Sequence, residues 1–587
     1  MDFFSLLSMI GGLALFLYGM DVMGGGLAKV SGGKLEKILE SLTASPIRAV
    51  ALGAAVTAVI QSSSATTVMV VGFVNSGIMK LGQAIGVIMG ANIGTTITSW
   101  LLSLTGIESG NFFIQLLKPT SFSPILALIG VCCIMFSKSQ KKKDIGPILV
   151  GFAVLMFGME MMSDAVKPLA DVPEFANIMT TFSNPVLGMI VGAVLTAIIQ
   201  SSSASVGILQ ALCATGSVTF GTAIPIIMGQ NIGTCVTAML SSIGASKNAK
   251  RAAIVHLYFN IIGTITFMIL FYGINLFVHF SFMSSSANAA GIAIVHSVFN
   301  VFATLLLLPF SKGLEKLAML TIRDKEADME VVDDDFQTLD SRFLDTPAFA
   351  IEQCRNVSIK MAEISKKALF ASIKLIGNYD EKKAQRIVDM EDKVDRYEDE
   401  LGSYLLKISS KNLTEEDSHT LSILLHSIGD FERISDHALN IKESAQEMFE
   451  KNLQFSKKAE DELAVFSRAI HDIVDTTYQV FATQDVQLAG TVEPLEEVID
   501  NLQVEIRKRH VKRLRKGKCT IELGFVLSDL LTSYERVADH CSNIAVDLIQ
   551  IVADEYETHS YLDSVKHEHQ GAFEAAYEEC KENYILP

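Results

Sequence analysis

One stretch of this chain is written twice, and that limits what it can fold into more than any other feature. Residues 12–98 lie over residues 151–237 without a gap, at a constant offset of 139. The match pairs Gly12 with Gly151, Gly19 with Gly158, Pro46 with Pro185 and Gly53 with Gly192. It also sets QSSSATT (61–67) on QSSSASV (200–206) and IMGANIGTTIT (88–98) on IMGQNIGTCVT (227–237). Before residue 310 the apolar runs reach roughly 18 to 24 residues, the length that crosses a hydrocarbon core of about 30 Å. Helices pair all their own backbone groups, so a duplicated all-α membrane unit is predicted.

Segment lengths decide how each copy meets the bilayer. Ile47 to Ile60 is 14 residues, and a helix of that length rises only about 21 Å, short of the core. Carried on to Ser76 the same helix would be roughly 45 Å long, too much for one span. Two half-helices meeting at each QSSS, a re-entrant hairpin, fit the length if protein or a wet cavity surrounds the broken backbone. Repeat 1 (about 10–137) then has spans near 4–23, 82–103 and 121–137. An odd count inverts repeat 2 (about 145–275), whose spans fall near 145–163, 220–242 and 252–275, and an extra span at 288–310 makes seven.

Charge divides the chain and orients it. Up to residue 310 there are 14 Lys and Arg against 10 Asp and Glu, and beyond it 34 against 55. The expectation is a membrane transport domain (1–310), an Asp-rich linker (311–345), an acidic soluble domain (346–555) and a C-terminal tail (556–587). Such an acidic balance argues against nucleic acid as a partner. Lys29, Lys34, Lys37, Arg48, Lys138, Lys141 to Lys143, Lys247, Lys250 and Arg251 fall on one side of the membrane, and Glu108, Asp164, Asp171 and Glu174 on the other. The positive-inside rule puts the amino terminus outside and the soluble domain in the cytoplasm, in a multi-pass protein of the cell inner (plasma) membrane with lipid around it. The first apolar run has neither a basic n-region nor an A-x-A site and reads as a retained helix. No CxxC pair occurs among the eight cysteines, which read as reduced thiols.

The breaks suggest what could bind. At each one a helix begins, at Ser62 to Ser64 or Ser201 to Ser203, and its unpaired N–H groups suit an anion. Serine hydroxyls donate to oxyanion oxygens, and the amides of Gln61 and Gln200 donate or accept. Neither motif contains Lys or Arg. Moving a divalent anion inward against 100 mV costs about 4.6 kcal/mol, which a co-transported monovalent cation offsets. Asn92, Thr95, Thr96, Gln230, Asn231 and Thr234, beside Gly90, Gly94, Gly229 and Gly233, offer neutral oxygens and, if unwound, carbonyls that suit Na+. Serine, threonine and glycine in membrane helices often serve packing alone, and the doubling at one spacing is what favours a site here. His256 with Asn260 and His296 with Asn300 read as interhelical hydrogen bonds in preference to a proton relay. Asp21 and Glu160 read as interfacial carboxylates.

The paired QSSS and G-x-N-I-G-T segments resemble the sodium-dependent phosphate cotransporter family, which includes the animal type II sodium-phosphate cotransporters, over roughly residues 10–310. That resemblance implies a sodium-coupled inorganic phosphate symporter and not an enzyme. It implies phosphate at Gln61, Ser62, Ser63, Ser64, Gln200, Ser201, Ser202 and Ser203. Sodium would fall at Thr66, Asn92, Thr95, Thr96, Gln230, Asn231 and Thr234. Import is the default direction, export the close variant, and a non-transporting phosphate sensor the rival class.

From residue 346 long amphipathic helices follow in two groups of three. DFERISDHALNI (430–441) echoes SYERVADHCSNI (533–544), and E-x-x-x-D recurs as Glu391/Asp395, Glu432/Asp436, Glu496/Asp500 and Glu535/Asp539. Carboxylates four apart on a helix repel; one such pair reads as a solvated acidic face, while four at equivalent places suggest a compensating cation. The pattern resembles the PhoU family of phosphate-signalling proteins. That likeness implies two three-helix bundles, with Fe, Zn or another divalent metal on these eight residues, and regulation of transport through a homo-oligomer or a signalling partner.

Overall fold

Helical periodicity governs the result. In a computed structural model that describes residues 3–31, 45–106, 119–323, 335–553 and 570–587, every regular element is a helix, and no strand occurs among the described residues. Lys34, Lys37 and Glu108, used above for orientation, lie outside the described residues, as do parts of the linker and of the tail. The chain divides into two compact units, Met1–Phe349 and Ala350–Pro587.

In the first unit the repeat reappears helix by helix. Helices α1 (Phe3–Ser31), α2 (Pro46–Ile60), α3 (Ser63–Asn75) and α4 (Leu81–Ser103) are followed by α5 (Pro119–Phe136). The second copy supplies α6 (Gln140–Val166), then the short α7 (Pro173–Thr181), then α8 (Pro185–Ile199), α9 (Ser202–Cys213) and α10 (Phe220–Ser241). Helices α11 (Lys247–Val278), α12 (Ala289–Leu307) and α13 (Ser311–Thr321) complete the unit. Among the described residues, six helical stretches are long and apolar enough to cross a membrane, or up to seven if the bent pair α7 and α8, set at 100°, counts as one. The span expected near 121–137 is present only as a shorter apolar helix. Helix α11 has a mean hydropathy of 2.1, yet only 11 % of its most apolar window is buried. Phe277 alone is 87 % exposed, and a surface this apolar needs lipid against it.

Glycine sets the closeness of the packing. A Cβ on Gly12 would strike the backbone of Gly158 and Met162, and one on Gly19 the backbone of Gly151 and Leu155. Residue 12 thus meets 158 while residue 19 meets 151, so α1 and α6, the corresponding helices of the two copies, run antiparallel. Buried polar groups tie the later helices together. Ser99 on α4 bonds His296 Nδ1 on α12 at 2.7 Å, and Gln210 on α9 donates to the carbonyls of Ser99 and Ala289. Asn260 Nδ2 on α11 donates to the His256 carbonyl at 3.0 Å, whereas neither ring nitrogen of the buried His256 has a partner.

The second unit is built from six long helices in two sets of three. They are α14 (Pro347–Ile373), α15 (Glu381–Ser409) and α16 (Glu415–Glu450), then α17 (Lys457–Thr483), α18 (Val492–Arg515) and α19 (Ile521–Ala553). Tyr397, Phe466 and Tyr534 are fully buried in their cores. The third helices of the two sets are joined by His540 Nδ1 to Asp430 Oδ1 at 2.8 Å.

Candidate functional site

Each QSSS is a helix break of one design. Gln61 ends α2 in the left-handed region, with φ 60°, and Gln200 ends α8 with φ 59°. A side chain in that region strains the backbone by about 1–2 kcal/mol, so a glutamine there in place of glycine points to use of its amide. Gln61 Oε1 accepts from Thr98 Oγ1 at 3.0 Å, while its Nε2 donates to the Ala58 carbonyl. The next residue, Ser62 or Ser201, is extended and caps the new helix: Ser62 Oγ accepts from the Ala65 N–H at 3.1 Å, and Ser201 Oγ from the Ala204 N–H at 3.2 Å. Caps satisfy one N–H each, and the first N–H groups of α3 and α9 stay turned toward the break.

The two breaks face one another. Ser64 Oγ donates to the Gln200 carbonyl at 3.4 Å, and residues 61–64 and 200–203 line a single cavity of about 420 Å³. Ser63, Ser202 and Ser203 are nearly buried at 5–6 % exposure, and their hydroxyls make no hydrogen bond among the described residues. Among the described residues, no Lys or Arg lines this cavity. Asp21 does, from within α1, which continues to Ser31. Asp345 lines it as well, from a segment that sequence patterning treats as linker.

The G-x-N-I-G-T residues are placed differently from the expectation. Helices α4 and α10 run unbroken through Gly90, Gly94, Gly229 and Gly233, so no carbonyl is unwound there. These glycines admit a neighbour's backbone: a Cβ on Gly90 would overlap the Val50 carbonyl oxygen, and one on Gly229 that of Met189. Thr95 and Thr234 donate to the carbonyls of Ala91 and Gln230 within their own helices, and Thr96 donates to Ile93. Asn92 reaches toward Asn260 at 3.5 Å, and Asn231 donates to Ile227. None of these residues, nor Gln230 or Thr66, lines the cavity between the tips.

Behind the tips lies a set of neutral oxygens that sequence reasoning largely missed. In the first copy Thr57 Oγ1 donates to Thr66 Oγ1 at 3.0 Å, and Thr66 donates to the Ser62 carbonyl at 3.0 Å. The counterparts of Thr57, Thr66 and Thr98 at the repeat offset are Thr196, Ser205 and Thr237. All three have buried hydroxyl oxygens without a partner, as does Gln230 Oε1, whose Nε2 donates to the Ser205 carbonyl at 3.0 Å. One copy is self-satisfied and the other is short of partners, and buried oxygens left so are costly unless something binds. The constant offset was the signal that could have found them.

In the soluble unit, oxygens of Glu391, Asp395 and Asp436 lie within 4.8 Å of one another, and so do those of Glu496, Asp500 and Asp539. Glu432 and Glu535 stand outside these triplets; Arg433 lies beside both Glu432 (3.4 Å) and Asp436 (3.1 Å), and Arg536 beside both Glu535 (3.7 Å) and Asp539 (3.4 Å). Burial, and then the neighbouring Asp395, pushes the Glu391 carboxyl up to about 7. Burial and then Asp500 push Glu496 up to about 8. Hard, crowded, partly desolvated carboxylates suit a divalent cation, so the residues present fit one.

Apolar helices written twice in the sequence, each copy interrupted at a polar tip and both tips on one cavity, define a polytopic membrane protein of the transporter type. Residues 15–164 and 154–296 match the Na+/Pi-cotransporter family, and residues 359–445 and 463–548 match the PhoU domain. The first unit of the chain therefore belongs to the Na+/Pi-cotransporter family, and the second carries two PhoU domains. The protein named "Putative inorganic phosphate export protein YjbB" of Escherichia coli K12 is 23 % identical over 553 residues, 93 % of this chain and 98 % of that one. Sodium-dependent phosphate transport protein 2A of Rattus norvegicus is 34 % identical over 99 residues, 16 % of this chain and 15 % of that one. The phosphate-specific transport system accessory protein PhoU homolog 1 of Thermotoga maritima is 26 % identical over 196 residues, 33 % and 82 % respectively. No solved structure matches the chain.

Proposed function

We propose that the protein moves inorganic phosphate across the cell inner membrane in symport with sodium, with the amino terminus outside and the PhoU domains as a cytoplasmic regulatory unit. The carrying observation is the pair of tips on one cavity, where Ser63, Ser202 and Ser203 hold hydroxyls uncommitted to the protein. Their hydroxyls and the adjoining helix N-termini hold the phosphate oxygens by dipoles and hydrogen bonds alone. Sodium supplies the missing positive charge, and the partner-poor oxygens of Thr196, Ser205, Gln230 and Thr237 support a place for it. The antiparallel course of α1 and α6 supports two inverted repeats whose tips meet inside the membrane as re-entrant hairpins.

Direction follows the gradients: an inward sodium gradient drives uptake. A relative that matches along nearly its whole length carries the name "Putative inorganic phosphate export protein", and this favours outward movement as the second reading. In the PhoU domains, Glu391, Asp395 and Asp436, and Glu496, Asp500 and Asp539, would hold divalent metal, which neutralises the crowded carboxylates and fixes one helix against the next. Reconstituted vesicles with labelled phosphate test the reading. Faster movement under a sodium gradient than under an equal potassium gradient is expected. Equal rates would refute sodium coupling, and no movement in either direction would leave a membrane sensor.

A further inference from the structure

The two family matches leave residues 297–358 between them. Part of that interval folds onto the transport unit. Asp340 Oδ2 accepts from Asn75 Nδ2 at 2.7 Å, at the C-terminal end of α3, and its carboxylate also pairs with Arg342 at 2.5 Å. Arg342 Nε donates to the Ser241 carbonyl at the end of α10, 3.0 Å away. Phe343, fully buried, occupies the notch left by Gly72, where a Cβ would come within 2.7 Å of its ring. Its ring lies 5.5 Å from that of Phe73 and 4.9 Å from that of Phe349. The segment is therefore fastened to α3 of the first copy and α10 of the second.

The direction in which it runs matters. Asp340 meets α3 at Asn75 and Phe343 meets it at Gly72, so the 3-10 turn Ser341–Asp345, rising about 2 Å per residue, travels back along α3 toward the tip. At its end Asp345, exposed, lines the tip cavity together with Ser62, Ser63 and Ser202. The only other carboxylate among the described residues lining that cavity is Asp21. A carboxylate is itself an anion, and helix N-termini and hydroxyls do not distinguish it from phosphate by charge sign.

We propose that the fastened segment Asp340–Phe349 is a working part of the anion site, holding Asp345 in the tip cavity where its carboxylate competes with phosphate and lowers the affinity of the docked state. This rests on the reading of the tips as a phosphate site. Neither repeat contributes Asp345, so its removal leaves both tips intact. Undocking the segment is equivalent to deleting the charge, and both raise affinity.

The test is binding of inorganic phosphate to the full chain in detergent, for wild type, Asp345→Asn, Asp345→Glu, Phe343→Ala and Ser63→Ala, with thermal unfolding alongside. Asp345→Asn is expected to tighten binding about tenfold, the effect of one like charge removed from a partly hydrated site. Asp345→Glu keeps the charge and stays near wild type. Phe343→Ala, which frees the segment, follows Asp345→Asn; should it unfold, Arg342→Ala takes its place. Unchanged or weaker binding in Asp345→Asn, while Ser63→Ala still weakens binding, overturns the proposal and leaves the phosphate site standing. If neither wild type nor Asp345→Asn binds phosphate, the site reading fails and takes the proposal with it.

Discussion

Ser62 and Ser63 are adjacent, yet the structure gives them different work, and replacing each with alanine should separate the two roles. Ser62 and Ser201 cap helices, their Oγ atoms accepting from Ala65 and Ala204 N–H at 3.1 and 3.2 Å. Losing such a cap costs about 0.5–2 kcal/mol of stability. Ser63 and Ser202 have no hydrogen bond to lose inside the protein and sit at the cavity wall at 5 % exposure. Losing a hydrogen bond to a charged ligand costs about 1.5–3 kcal/mol, which is roughly a 10- to 150-fold rise in Kd. Ser63→Ala and Ser202→Ala should therefore weaken phosphate binding by that factor with an unfolding curve like that of wild type. Ser62→Ala and Ser201→Ala should lower stability and binding together. Isothermal titration with phosphate, paired with thermal unfolding of the same preparations, reads both quantities. Wild-type Kd in both Ser63→Ala and Ser202→Ala, with the protein folded, would refute the assignment and return these hydroxyls to helix packing.

How much of this was legible in the sequence depends on how local each signal is. The helix break at QSSS could be read because two length limits collide, a run too short to span followed by one too long, and the left-handed Gln61 and Gln200 are where the collision is resolved. Whether the backbone beside Asn92 and Thr95 unwinds is not legible locally, because glycine marks both flexible backbone and close helix packing. Only the approach of Val50 and Met189 to Gly90 and Gly229 tells the two apart, and that is a tertiary fact. Thr57 and Thr98 lie in plainly apolar helices and gain meaning only beside Gln61 and Thr66. Asp345 is invisible to any local pattern, since its cavity partners precede it by more than 140 residues. In the second unit, i,i+4 spacing found the carboxylate pairs but could not say that Glu391, Asp395 and Asp436, or Glu496, Asp500 and Asp539, would be the ones brought within 4.8 Å of one another.

Two further outcomes follow from packing and from charge. Gly229→Ala should destabilise the transport unit by about 1–3 kcal/mol, because the new Cβ meets the Met189 carbonyl across α8 and α10, whereas Gly25→Ala, with nothing nearby, should be neutral or mildly stabilising. Melting of the two variants in detergent checks this, and equal melting points would refute it. The soluble half should show an unusual pH slope once metal is stripped by a chelator. Glu496 titrates near 8 when folded, against an ordinary value near 4.5, chiefly through burial and then the Asp500 charge. Between those two values the folded chain holds a proton that the unfolded chain has released, so this residue's contribution to stability falls as pH rises, by at most about 1.4 kcal/mol per pH unit. Glu496→Gln removes the proton exchange and keeps the shape. The variant should therefore match the metal-free wild type near pH 4.5 and exceed it increasingly up to about pH 8, after which the gap holds steady. Added Mn2+ or Zn2+ takes the place of the proton and should stabilise wild type more than the variant at pH 8. Thermal unfolding of the full chain at pH 5, 6.5 and 8 measures each difference. A constant gap across that range would mean that the Glu496 carboxyl is ionised throughout and that the cluster does not crowd it.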